Sequence, residues 1–420
     1  MLQNKIGYSY NDLTIIPETI SYVNSRSECN PFIDEYNCLP IFTAPMASVV
    51  NEENINKFSK NGIIPILPRN IDIERRIYQM TEYQTWVALS LKEFENLFID
   101  NYQDRIGDFR THYFVCVDIA NGHMKSLYDK CVKAKNLANN NYKLTIMTGN
   151  IANAKTYEWI YKNAVYEYEE NGYKYYDCAI DYIRVGIGGG SGCITTSNVS
   201  IHYPQASLID ECKKIKESTV CKYVRKKPAI VADGGIRNYD HVIKALALGA
   251  DYVMIGSLFA QCIESAGEKT NKTIKSKISL KFPIERYKDF EIDKNGNWSA
   301  YYTDEYITKG IEPWQAGPIE KYNKRIESLK DKKFIGSIDV KFFGMASADG
   351  QKSISGEKTK TAEGITKYLP VKYTLKGWTE NMISYLRSAM SYCNCKDITE
   401  FIGKPNLIVN SISEIQAVNK

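Results

Sequence analysis

Residues 184-RVGIGGGSGCITT-196 place one thiol, Cys193, just after a run in which four glycines fall within five positions, Gly186 to Gly190. Glycine at that density weakens local folding and is used where the main chain must approach a ligand closely or take positive φ. A thiol is a nucleophile once ionised, and a loop rich in backbone N–H groups assists ionisation of a group whose ordinary pKa is about 8.5. The stretch therefore reads as a ligand-contacting loop that carries a thiol. Four other places share its character: Asp118 with Asn121, Gly149 with Asn150, Asp233 to Gly235, and Gly256 with Ser257. Each lies at the end of a short apolar run.

Those runs are the elements that must position the polar residues. Eight are β-rich: 40–46, 63–68, 85–91, 113–120, 143–150, 182–187, 229–235 and 252–257. Between them, 51–61, 123–138, 205–218 and 239–250 carry apolar residues at helical spacing. Strands alternating with helices indicate an α/β fold around a parallel sheet, and eight such units predict a (β/α)8 TIM barrel. In that fold the site is built from the C-terminal ends of the strands, where all five polar clusters fall.

The regular pattern breaks twice. Residues 160–181 are rich in Tyr and Glu and enlarge the connection before the sixth strand. Residues 269–340 form an inserted subdomain after strand eight, with a hairpin expected at 290–302, where Asn295-Gly296 sits between alternating residues, and a charged helix at 319–333. The domain reading is therefore 1–268 barrel, 269–340 insertion, and 341–420 returning to the barrel as a flap and a C-terminal helix. Aromatic residues in the insertion favour a contact surface over a lid.

Composition excludes several classes. The 54 basic and 49 acidic residues give a net charge of +5 without a concentrated basic field, so no nucleic-acid partner is expected. No basic start with an apolar core opens the chain and no apolar run reaches about 18 residues, so a cytoplasmic protein with no membrane partner is expected. The 11 cysteines show no paired zinc spacing and the 4 histidines no ligand spacing; no zinc site is expected.

Together, GIGGGSGCITT, 231-VADGGIR-237, 249-GADYVMIGSLFAQCIESAGE-268, 342-FFGMAS-347 and 386-LRSAMSYCNCKDITEF-401 resemble the inosine monophosphate dehydrogenase and guanosine monophosphate reductase superfamily. The likeness runs in family order along the chain apart from the two insertions. Ala47 stands where the resemblance calls for aspartate, and Phe342 where it calls for a tyrosine beside the phosphate.

The resemblance implies a purine mononucleotide substrate and a covalent adduct between Cys193 and purine C2. It implies that Asp233 accepts from the ribose hydroxyls, that Ser191, Gly235, Gly256 and Ser257 bind phosphate, and that Gly344 and Met345 border the base. It further implies that Thr195 and Glu363 handle a departing ammonia, that Asp118 and Asn121 lie on the nicotinamide side, and that carbonyls of Gly188, Gly190 and Cys193 hold a monovalent cation, potassium. Relatives are homotetramers.

The superfamily contains two reactions. The dehydrogenase oxidises IMP with NAD and hydrolyses the adduct with help from a flap arginine, whereas residues 345–377 here contain no arginine. The segments 116-CVDIANGH-123 and 202-HYPQASLIDEC-212 resemble the reductase branch, and no regulatory module follows strand two. Ile194 after the cysteine resembles the dehydrogenase. The expected activity is NADPH-dependent reductive deamination of GMP to IMP and ammonia. The alternatives are an NAD-dependent IMP dehydrogenase and a weakly catalytic, nucleotide-binding regulatory barrel.

Overall fold

The computed structural model describes residues 5–34, 37–101, 111–138, 141–170, 172–190, 192–218, 224–271, 287–292, 297–302, 334–357 and 361–411. Its centre is a sheet of eight parallel strands: β1 (Ile41–Thr43), β2 (Ile66–Leu67), β3 (Trp86–Leu89), β4 (His112–Val117), β5 (Lys143–Ile151), β6 (Tyr182–Val185), β7 (Ala229–Asp233) and β8 (Tyr252–Ile255). Consecutive strands pair in register from β2 round to β8, and β8 pairs with β1. A parallel bridge between Phe42 and Ile64 closes the ring, with Thr43 N–H donating to Ile64 O at 2.9 Å and Ile64 N–H to Ile41 O at 2.9 Å. The chain folds as a (β/α)8 barrel. Several strands stop short of the apolar runs that mark them, because Ala44–Met46, Gly234–Gly235 and Gly256–Ser257 leave the sheet to build its upper rim.

Side chains alternate between the barrel interior and the helical layer, as the two-residue period of a strand requires. On β7, Ile230 and Ala232 join the outer core while Val231 joins the inner one, and on β4 Val115 and Val117 face out while Cys116 faces in. Large rings fill the bottom of the interior. Trp86 packs edge-on against Phe42 (5.5 Å between ring centres) and Tyr182 (5.4 Å), at the N-terminal ends of their strands or close to them. At the top the same inward parity brings Asp118, Arg184 and Asp233 into the lumen. The barrel is thus plugged below and polar above, with the cavity at the strand C-termini.

The flanking helices begin where their sequences supply caps. Asp72 accepts from the N–H groups of Glu74 and Arg75 to start Ile73–Tyr83, Asn153 accepts from Lys155 to start Ala154–Asn163, and Thr374 accepts from Gly377 to start Leu375–Tyr392. The 160–181 region is an antiparallel hairpin, Val165–Glu170 with Tyr173–Cys178. Within 269–340, Tyr287–Ile292 pairs with Asn297–Tyr302 as a hairpin; its Asn295-Gly296 and the 319–333 segment lie outside the described residues. Strand Phe334–Phe343 pairs with Asn297–Tyr302, Lys269–Asn271 and the flap strand Thr366–Pro370, and so runs from that sheet to the cavity edge at Phe342.

Helix Leu375–Tyr392 braces the rim. Its Trp378 is 0% exposed and packs edge-on against Phe259 (4.9 Å) and stacks on Tyr239 (5.4 Å). Phe259 lies in the short helix Ser257–Ala260 that opens at the Gly256–Ser257 turn. Trp378→Ala is expected to lower the unfolding free energy by about 3–5 kcal/mol, measured by chemical denaturation; a loss under about 1 kcal/mol would show that this helix does not brace the barrel.

Candidate active site

Arg184 is 3% exposed and stands between two carboxylates. Its Nη2 donates to Asp118 Oδ1 at 2.9 Å, its Nη1 lies 3.9 Å from Asp233 Oδ2, and Arg69 Nε reaches Asp118 Oδ2 at 3.2 Å. Asn150 Nδ2 donates to Asp233 Oδ2 at 2.7 Å and to Gly186 O at 2.8 Å. Burial works to raise the Asp118 carboxyl, but the two guanidiniums beside it carry it below its ordinary value. Burial raises the Asp233 carboxyl, and Arg184 and Asn150 offset only part of that. Among the described residues no hydrogen bond reaches Asp233 Oδ1, which leaves that oxygen as an acceptor for a ligand hydroxyl.

The glycine loop crosses directly above this floor. Gly186 has φ 129°, and a Cβ there would lie 2.2 Å from Asp233 O and 2.4 Å from Gln205 Oε1. Beyond it, Cys193 N–H donates to Gly190 O at 3.0 Å, and the half-buried thiol faces the cavity. The flap then pairs with the loop as a short antiparallel ladder. Ile194 N–H donates to Glu363 O (3.1 Å), Ile365 N–H to Gly192 O (2.9 Å), and Cys193 bridges Gly364. This backbone pairing sets three side chains in line: Cys193 Sγ donates to Thr195 Oγ1 at 3.2 Å, and Thr195 Oγ1 donates to Glu363 Oε2 at 3.3 Å.

A cavity of about 280 Å³ lies over the floor. Cys193, Thr195, Glu363, Asp118, Asp233, Gly188, Gly190, Gly235, Gly256, Ser257, Gly344 and Met345 all line it. Met345 Sδ accepts from Ala47 N–H at 3.5 Å, so the residue standing in place of an aspartate meets the flap through its backbone. Gly235 N–H is already committed to Gly189 O at 3.0 Å. The Gly188 carbonyl accepts from Thr196 Oγ1 (3.1 Å) and the Gly190 carbonyl from Cys193 N–H (3.0 Å), each keeping a second lone pair. Ser191 lies outside the described residues. Asn121 is exposed, accepts from His123 N–H at 3.0 Å, and is not part of the wall; Ile119 and Ala120 are the lining residues there.

Two polar side chains of the wall were not singled out by sequence reasoning as site residues: Arg184 and Asn150. The signal for Arg184 was a lone cation inside the apolar run 182-YIRVGI-187, since a buried charge must find a partner. Asn150 drew notice as a rim residue, but its bond to Asp233 depends on β5 and β7 both facing the lumen.

The IMP dehydrogenase / GMP reductase domain family model matches residues 7–316. The chain is 30% identical over 273 residues to the GMP reductase of Pediococcus pentosaceus, an alignment covering 62% of this chain and 73% of that one. It is 32% identical over 274 residues to the GMP reductase of Oceanobacillus iheyensis and 30% identical over 270 residues to that of Helicobacter pylori, each covering 62% of this chain and 73% of the relative.

The floor is tested through its cation. Arg184→Met leaves Asp118 and Asp233 facing one another, and breaking a buried pair in this way is expected to cost about 3–5 kcal/mol at neutral pH. In the native chain the depressed Asp118 adds stability above its unfolded value that is lost as pH falls through the folded one, while the raised Asp233 exacts a cost that disappears on acidification. Without Arg184 both carboxyls rise, so the gap between variant and wild type should narrow as pH falls from neutral. Urea denaturation across that range checks this, and a constant gap would mean that Arg184 does not hold the two carboxylates.

Proposed function

Since the chain belongs to the IMP dehydrogenase / GMP reductase domain family and is thereby an oxidoreductase of purine nucleotides, we propose that it is a GMP reductase, converting GMP to IMP and ammonia with NADPH. The observation that carries this reading is the hydrogen-bond line from Cys193 through Thr195 to Glu363. Every donor in it points the same way, from thiol to hydroxyl to carboxylate. A proton leaving the thiol can therefore pass to Glu363, and the resulting thiolate is free to attack.

In this reading the Cys193 thiolate adds to purine C2, forming a C–S bond. The C2–N bond to the exocyclic amine then breaks as Glu363, through Thr195, returns a proton to the departing nitrogen, and ammonia leaves. The chemistry that a bound reduced nicotinamide supplies is a hydride to C2. As C2 is reduced, the C–S bond breaks and the thiolate is restored. Asp233 orients the ribose through its free Oδ1, and Met345 closes on the base side. The apolar pair of half-buried Ile119 and exposed Ala120 suits a flat ring entering from that wall, beside an Asp118 whose charge Arg69 and Arg184 neutralise. With no arginine between Met345 and Gly377 to activate water, hydrolysis of the adduct is disfavoured against reduction. Potassium on the free lone pairs of the loop carbonyls and a cytoplasmic homotetramer complete the proposal.

With GMP and NADPH the reduced-nicotinamide absorbance should fall; a rise with IMP and NAD would overturn the reading in favour of dehydrogenation, and silence in both in favour of a regulatory barrel. Cys193→Ala should abolish turnover while changing mononucleotide binding by less than about tenfold, or ~1.4 kcal/mol. Glu363→Gln and Thr195→Val should each lower kcat by about 10²–10⁴-fold, the range of general acid–base catalysis. Near-normal turnover in Cys193→Ala would remove the covalent step.

A further inference from the structure

The turn that follows β4 carries two lining residues, Ile119 and Ala120, and is held by contacts that the proposed chemistry does not use. Gly122 N–H donates to Asn150 O at 3.0 Å, and a Cβ on Gly122 would lie 2.6 Å from that oxygen, so the turn rests directly on the end of β5. The Tyr128 hydroxyl donates to Gly122 O, and Asn121 Oδ1 accepts from His123 N–H at 3.0 Å. The imidazole of His123 completes the join. Its Nε2 lies 3.1 Å from Ala152 N and its Nδ1 lies 2.9 Å from Thr156 Oγ1. A backbone N–H can only donate, so Nε2 must accept, and the single proton of a neutral imidazole therefore sits on Nδ1 and is given to Thr156. Ala152 stands two residues from Asn150, whose Nδ2 bonds to Asp233 Oδ2 and Gly186 O tie the same segment to the floor and to the glycine loop.

We propose that His123 is a positioning residue with a protonation switch: neutral, it latches the Ile119–Ala120 wall to the 150–152 segment, and protonated, it releases that wall. A proton on Nε2 sets one N–H against another, so the acceptor that closes the latch becomes a second donor and the contact with Ala152 turns repulsive. His123 stands outside the cavity wall and acts only through the turn it holds. The charged side chains on its own helix and on the helix of Thr156 are Lys125, paired with Asp129 at 2.8 Å, Lys155, and Glu158, paired with Lys162 at 2.5 Å. None of them moves the imidazole; burial alone draws it below its ordinary value of about 6.5. A group whose folded pKa is depressed contributes fully above its unfolded value, so the latch is complete above about pH 6.5 and opens as pH falls through the folded value. The consequence for a second ligand rests on reading this wall as the nicotinamide side, whereas the latch itself does not.

The test combines imidazole NMR of the 15N-labelled full chain with calorimetric binding of NADP⁺, the acid-stable form of the dinucleotide. The chain has 4 histidines, and the signal missing from His123→Gln identifies the one of interest. It should show the Nδ1–H tautomer at neutral pH and convert to imidazolium below about pH 6.5. His123→Leu, which leaves Ala152 N–H without its acceptor, should weaken NADP⁺ binding at neutral pH about tenfold, or ~1.4 kcal/mol. His123→Gln keeps an acceptor and a donor without titrating. It should therefore bind NADP⁺ as wild type does at neutral pH and lack the extra loss that wild type shows on acidification to about pH 5.5. GMP affinity should stay within about twofold in both variants, since Asn150 keeps its own bonds to Asp233 and Gly186. An Nε2–H tautomer, an acid loss that His123→Gln retains in full, or unchanged NADP⁺ affinity in His123→Leu would each overturn the switch. If wild type binds no dinucleotide at any pH, the reductase reading fails, and the tautomer with its pH dependence still decides the latch.

Discussion

The upper barrel depends on one buried cation. Arg184 projects from β6 into a lumen that contains Asp118 on one side and Asp233 on the other, and each carboxylate has a second partner, Arg69 or Asn150. Desolvating charges on this scale costs several kcal/mol per ion unless they are paired and hydrogen-bonded. The arrangement is therefore all or nothing: each member makes the burial of the others tolerable. Its consequence is a floor where Asp118 is firmly ionised and Asp233 keeps one oxygen toward the cavity.

Everything above the floor is backbone geometry. The loop from Gly186 to Cys193 can pass close to Asp233 because no side chain intervenes, and it is then held by the flap through main-chain hydrogen bonds at Gly192 and Ile194. Those bonds align Cys193, Thr195 and Glu363. A hydrogen bond between side chains 168 positions apart is thus a by-product of a short β-ladder. The flap has a second anchor, since Thr366–Pro370 pairs with Phe334–Phe343, whose far end belongs to the sheet formed by 269–340. The 269–340 sheet and the glycine loop are consequently linked through two adjoining strand pairings.

The helical layer carries the load from outside. Trp378 and Phe259 link the C-terminal helix to the helix that begins at Ser257, and strand Leu13–Ile15 pairs with Leu407–Val409 to join the two ends of the described chain. Rim turns made of glycine have little rigidity of their own. Their positions come from this packing and from caps such as Thr374.

The eight strands were legible because each is a short apolar run ended by glycine or a polar turn, a pattern written locally. The rim clusters were legible for the same reason, and side-chain parity along β4, β6 and β7 already directs Asp118, Arg184 and Asp233 to one side of the sheet. The family likeness rests on motifs just as local. What the sequence could not decide is which inward residues meet across a closed ring: the Arg184 pairings, the Asn150 bond to Asp233, and the presence of Ile119 and Ala120 in the wall while Asn121 points to solvent. Nor could it show that Gly235 N–H is committed to Gly189. Such contacts join residues tens to hundreds of positions apart, and their energies depend on burial and distance, which exist only once the barrel has closed.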